Sequence, residues 1–136
     1  MANTLKLEIV TPEAVAYSED VDMVVLPGAE GELGIYPMHV PLMTRIVPGE
    51  VAVRKGGQET LLAVGEGFVE ITPQRVSILT DMAVKADGID EAAVEEARRK
   101  AEARRNEKLT DEESARVEAA IARAAAQIKV KRHKRP

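Results

Sequence analysis

Histidines, carboxylates, hydroxyls and glycine-flanked loops are the groups with which this chain could do chemistry, and their spacing withholds most of it. His39 and His133 are its two histidines, far apart and in no HExxH or paired-ligand pattern, so a metal centre is not expected. Cysteine is absent, which removes a disulfide framework, thiolate metal sites and a thiol nucleophile. Ser18, Ser77 and Ser114 sit in no GxSxG elbow, so an acyl-transfer triad has no members. Glu30 and Glu32 alternate in an exposed glycine loop, a poor setting for acid/base work. Catalysis is not expected from such a set.

The glycines invite a phosphate-loop reading, which fails. Gly28, Gly31 and Gly34 fit neither GxxxxGK[ST] nor GxGxxG, and acidic side chains lie where phosphate needs cations. Two readings stay open: glycines that serve turn geometry alone, or a protein-docking loop with Glu32 and His39 as exposed polar contacts. For His39 by itself, a hydrogen-bonded loop histidine is favoured over a pH switch. The surrounding stretch Leu26–Leu42, LPGAEGELGIYPMHVPL, adds Pro27, Pro37 and Pro41, each of which fixes φ and removes a ladder donor. It reads as a shaped surface loop rather than a helix or central strand.

Stepping outward, the scaffold is a strand platform. With 45% hydrophobic and only 2% aromatic residues, the core must rest on Val, Ile, Leu, Met and Ala. Leu5, Leu7 and Ile9 alternate with charged residues at the strand period. Further strands are expected at Ala14–Tyr17, Val21–Leu26, Leu42–Val47, Val51–Arg54, Thr60–Val64, Phe68–Ile71 and Val76–Leu79, with Gly56-Gly57 turning one hairpin. Many short strands at regular turn spacing imply an antiparallel sandwich or flattened barrel. No apolar run reaches the roughly 18 residues of a membrane span, and the N-terminus lacks a basic region followed by an apolar stretch, so a soluble, non-secreted chain is expected.

Composition and charge change together after Val84. Residues 1–84 carry 5 Lys/Arg against 12 Asp/Glu, and the remainder carries 14 against 11. Ala, Glu, Arg and Lys without Gly or Pro predict helices over Asp90–Lys108 and Asp111 to about Lys129. Asp90 is the expected N-cap of the first, and Thr110-x-x-Glu113 is a capping box for the second. Val117, Ile121, Ala124 and Ile128 make an apolar stripe, facing only Val94, Ala97 and Ala101 from the first helix. The fold expected is α+β: an N-terminal antiparallel β-sandwich over 1–86, then an antiparallel two-helix hairpin over 87–136. Alanine stripes bury little area at ~25 cal/mol per Å², so the hairpin is expected to be a mobile arm with at least two docked positions.

The basic tail Lys129 to Arg135 is open to two readings, a frayed C-terminus that suits the helix dipole or a site for an acidic protein partner. Nucleic acid is not expected, because no aromatic residue interleaves the charges.

LPGAEGELGIYPMHVPL, the Pro48-Gly49 turn, Gly65-Glu66-Gly67-Phe68-Val69-Glu70 and the Ile89-Asp90-Glu91 start of an Ala-rich hairpin together resemble the epsilon subunits of rotary ATP synthases, over essentially the whole chain. The resemblance implies a non-catalytic central-stalk subunit without a cofactor, peripheral to the cytoplasmic face of the plasma membrane. Its implied partners are the gamma subunit, the ring of c subunits, and the alpha and beta catalytic subunits through the hairpin. Glu32 and His39 match loop positions facing the ring. Arg98, Arg99, Arg104, Arg105, Arg116 and Arg123 are the implied contacts by which the hairpin restrains ATP hydrolysis. Some members bind ATP on the hairpin through [IL]DxxRA; here Ile89 and Asp90 match, but Ala93 and Val94 replace Arg and Ala, so weak or absent ATP binding is expected. The competing expectation is a free-standing nucleotide- or ligand-binding sandwich on which the hairpin closes.

Overall fold

The computed structural model describes residues 3–134. Among the described residues, ten strands precede two helices. They are β1 Leu5–Val10, β2 Val15–Val21, β3 Met23–Gly28, β4 Gly31–Ile35, β5 Leu42–Ile46, β6 Gly49–Lys55, β7 Gln58–Val64, β8 Gly67–Ile71, β9 Arg75–Thr80 and β10 Ala83–Lys85. A 3-10 turn at Ala86–Gly88 leads into α1 Glu91–Arg104 and α2 Asp111–Lys134.

Hydrogen bonding runs β10-β7-β6-β3-β5-β8-β9-β1-β2, with β4 attached to β3. A single register pair, Gly28 with Ile46, joins β3 to β5, and there the sheet folds over on itself. Every other pair is antiparallel except β1 with β9, a parallel pair that the sequence pattern did not show. Alternating residues from both halves point inward, and Leu5, Leu7, Ile9, Val24, Leu26, Ile46, Val51, Leu62, Val69, Val76 and Ile78 form one closed core. The two ends of the strand order come back toward each other: Lys85 of β10 lies 5.5 Å from the Tyr17 ring of β2. Lys55 of β6 pairs with Glu19 of β2 at 2.6 Å. The sandwich is thus a nearly closed barrel, with few free edges.

Gly67, at the corner between β7 and β8, lets the chain lie close against β9, because a Cβ there would stand 1.8 Å from the Leu79 carbonyl oxygen. Thr80 reinforces the same corner, donating its hydroxyl to the Glu66 carbonyl at 2.9 Å.

In β7, Leu61–Val64 are all buried. Leu62 and Val64 face the sandwich core, while Leu61 and Ala63 face outward and are covered by Ala126 and Val130 of α2 together with Ala86 and Ile89. Two-sided burial explains why this run is continuously apolar instead of alternating. The layers therefore stack as sheet, sheet, α2, α1.

Three expectations need correction. The glycine-rich stretch is not wholly loop: Leu26–Gly28 complete β3, and Gly31–Ile35 form β4, an antiparallel partner of β3. Pro27 is tolerated because its carbonyl accepts from the Val47 N–H at 2.9 Å while no donor is demanded of it. The first helix stops at Arg104, not Lys108, and residues 105–110 make the connection. The second helix runs on through the basic residues to Lys134; Arg135 lies outside the described residues.

Candidate functional site

Residues 36–41 remain a loop between β4 and β5, at one end of the sandwich. Met38 has φ 71°, the one positive value at a non-glycine among the described residues. Such a conformation costs about 1–3 kcal/mol and is held by its surroundings. Here the Met38 N–H donates to the Pro73 carbonyl at 2.7 Å, tying the loop to the β8–β9 turn, and Pro37 and Pro41 stiffen both sides. Tyr36, Met38, Val40 and Met43 are each more than 60% exposed. Large apolar side chains displayed on a stiff loop and at the start of the strand after it mark an interaction surface.

Glu32 lies on β4 opposite Pro27, exposed, and lines a hollow of about 280 Å³ with Glu30, Leu42 and Thr44. His39 is on the loop itself, its Nδ1 2.7 Å from the Val40 carbonyl oxygen. No hydrogen bond or ion pair joins Glu32 to His39 among the described residues. They share one end of the sandwich without forming one polar site.

The hairpin arginines are engaged with carboxylates of this chain. Arg98 pairs with Glu95 and, at 3.4 Å, with Glu102. Arg99 meets Glu96 at 2.6 Å, and Arg104 reaches Glu113 of the other helix at 3.6 Å. Arg105 holds Glu118 with two hydrogen bonds of 2.7 Å, which raises the guanidinium's pKa and lowers that of the carboxyl. Arg123 spans to Asp81 of the sandwich at 3.4 Å. Arg116 is placed near the N-terminal turn of α2, where its charge helps lower the Glu113 pKa behind the larger effect of the Thr110 backbone hydrogen bond. Exposed pairs of this kind are exchangeable: each contributes little net stability in water.

The residues that begin the hairpin have structural work. Asp90 caps α1, accepting from the Ala93 N–H at 3.1 Å, and Ile89 is buried against β7 and α2. Ala93 is exposed, and Val94 packs beside the same cluster. No side chain that could pair with phosphate stands where the motif has its arginine. Among the described residues, no group of three or more metal-ligating side chains occurs.

Sequence reasoning missed the second face of α2. Opposite the Val117, Ile121, Ala124, Ile128 stripe lie Ala115, Ala119, Ala122, Ala126 and Val130, spaced at i, i+4, i+7, i+11 and i+15. Ala126 and Val130 dock on β7, whereas Ala115, Ala119 and Ala122 leave a groove of about 480 Å³ against Pro48, Glu66 and Asp81. The signal was available as helical periodicity, but alanine is common on either face of a helix and did not mark it.

Comparison with known proteins supplies the family. Residues 4–86 match the family model described as ATP synthase, Delta/Epsilon chain, beta-sandwich domain, and residues 87–132 match that of the long alpha-helix domain. The chain belongs to the ATP synthase delta/epsilon family. It is 43% identical over 129 residues to the ATP synthase epsilon chain of Laribacter hongkongensis, covering 93% of this chain and 92% of that one. With the epsilon chain of Dehalococcoides mccartyi it shares 45% over 135 residues, covering 97% and 96%. Membership makes it an epsilon-type chain, a non-catalytic component of the ATP synthase. The fold is also that of a chain in the Euglena gracilis mitochondrial ATP synthase, with a TM-score of 0.76 at 21% identity over 90% of this chain and 78% of that one. A chain of the Tetrahymena thermophila central stalk and c-ring assembly gives 0.59 at 12%, covering 93% and 96%. Among the described residues, no helix is long and apolar enough to cross a membrane.

Proposed function

We propose that this chain works as a rotor element of the central stalk, with the sandwich as its docking body and the hairpin as a movable regulator of ATP hydrolysis. On this reading the sandwich binds the gamma subunit, and its Glu32 and His39 end rests on the c ring. The chain would then lie at the cytoplasmic face of the plasma membrane, held there by the complex. The division near residue 86 separates the part that stays docked from the part that moves.

One observation carries the proposal: a fully packed sandwich holds its hairpin through a much smaller apolar cluster and a few ion pairs near the surface. Val130 and Ala126 are the buried helix residues facing β7, and the groove beside them is open. Such an arm can exchange its internal arginine pairs for acidic side chains on a catalytic subunit at little net cost.

Mixing the chain with the gamma subunit of the same cell and separating by size tests the docking half; a one-to-one complex is expected, and separate elution at native salt overturns it. Truncation after Asp87 tests the hairpin: hydrolysis by the assembled enzyme should rise, and an unchanged rate removes the inhibitory role. The missing arginine at position 93 predicts no saturable calorimetric binding at micromolar ATP.

A further inference from the structure

The last turn of α2 carries Lys131, Arg132, His133 and Lys134, and three of these reach other parts of the chain. Lys131 Nζ donates to the Ala86 carbonyl at 3.3 Å. Arg132 reaches Glu91 at 3.0 Å and Glu95 at 3.7 Å, clamping α2 to the start of α1. His133 Nδ1 lies 2.7 Å from Glu50 Oε1, joining the hairpin's end to the outer face of β6. The Glu50 side chain is only 14% exposed, and among the described residues His133 is the one group within ion-pair distance of it. A carboxylate so far withdrawn from water needs a cationic or donating partner.

We propose that the contact between Glu50 and His133 is a proton-operated latch, which holds the hairpin on the sandwich at lower pH and loosens it as the medium becomes alkaline. The inference rests on the hairpin's being movable, not on what it does to hydrolysis. Charge faces the imidazole from each element packed around it: Glu50 from β6, Glu59 from β7, and Lys129 from the preceding turn of α2, with Arg132 and Lys134 flanking. Arg54 of β6 is drawn to Glu59 at 4.0 Å, which weakens that carboxylate's share. Glu50 dominates. Its hydrogen bond and then its negative charge raise the His133 pKa above the ordinary histidine value of 6.5, against the partial loss of water and, less, the charge of Lys129.

The sign follows from linkage. Docked, the ring binds its proton more tightly because Glu50 faces it; undocked, it returns to the ordinary value. The latch's contribution is therefore complete below the ordinary histidine pKa and is lost as pH rises through the raised, docked one. The Arg123 pair with Asp81 and the apolar contact of Ala126 and Val130 with β7 join the hairpin to the sandwich throughout and set a pH-independent floor.

A single thiol reads the latch, because the chain has no cysteine of its own. Ala126 is 5% exposed against β7, so Ala126→Cys is labelled only when α2 lifts away. Labelling is expressed relative to an unstructured peptide thiol, which cancels the pH dependence of thiolate chemistry, and Val64→Cys reports the sandwich core for comparison. Protection of Cys at 126 should fall roughly two- to fivefold from about pH 6 to about pH 8.5, the size expected of one ion pair whose histidine stays in contact with water. In the Glu50→Gln or His133→Gln background the fall should vanish at the weaker, alkaline level, and His133→Lys should keep the tighter level throughout. A fall that persists in His133→Gln, or none in the chain with both latch residues, overturns the latch. If thiols at 126 and 64 are equally protected, the hairpin never detaches by itself, and the movable-arm reading falls along with it.

Discussion

The inner face of β7 and its outer face are one residue apart and differ in what covers them. Inward, Leu62 and Val64 meet Leu, Ile and Val from the whole barrel and are fully buried. Outward, Leu61 and Ala63 belong to a smaller cluster with Ala126 and Val130 of α2, Ala86 and Ile89, with Ala52, Met82, Val84 and Val94 at its margin. The contrast teaches where cooperativity should end: close-packed branched side chains bind the sandwich into one unit, whereas the proposed function needs the smaller outer cluster to leave the hairpin an arm with its own opening equilibrium.

Core deletions give the largest effect by which to break this contrast. Leu62→Ala or Ile46→Ala should cost about 2–5 kcal/mol of global stability in urea unfolding. A loss below about 0.5 kcal/mol would mean the barrel is not the cooperative core. Next is Val130→Ala, which removes two buried methyl groups at ~0.8 kcal/mol each. It should speed amide exchange in the hairpin about tenfold while leaving the sandwich's urea midpoint in place. A shift of both would merge the two regions.

Smaller still is Thr110→Ala. Thr110 and Glu113 exchange two hydrogen bonds of 3.1 Å each, and losing that box should cost about 1 kcal/mol of helix stability, seen as fraying of the first turn of α2. The smallest effect is expected from Arg105→Ala, whose exposed pair with Glu118 stiffens the bend between the helices. Its effect on hairpin exchange should be detectable only at low salt and disappear at about 1 M, where screening is nearly complete.

Much of the sandwich was legible, because inward and outward residues alternate in β1, β6 and β9 and glycine pairs mark the turns. The parallel pairing of β1 with β9 was not, since a strand's pattern tells which face is buried and not which neighbour lies beside it. β4 was hidden by its glycines: Gly31, with φ 127°, and Gly34 look like loop until β3 supplies the ladder. The bend at Met38 was equally hidden, as methionine does not announce a left-handed backbone.

The basic tail is the sharpest lesson. Charge alone suggested a frayed end or an outside acidic partner, yet Val130 near its start is fully buried and the partners are Glu91, Glu95 and Glu50 of the same chain. Long-range pairing of this kind depends on how α2 lies across β6 and β7, which local sequence does not encode.

Native-state hydrogen exchange of the full chain tests the two-region account most directly. Amides of α1 and α2 should exchange through a local opening, with protection well below that of β1, β3 and β9, and should respond only weakly to low urea because little surface is exposed in that opening. Equal protection across helices and strands, with one common urea dependence, would contradict it and make the hairpin part of the barrel's own cooperative fold.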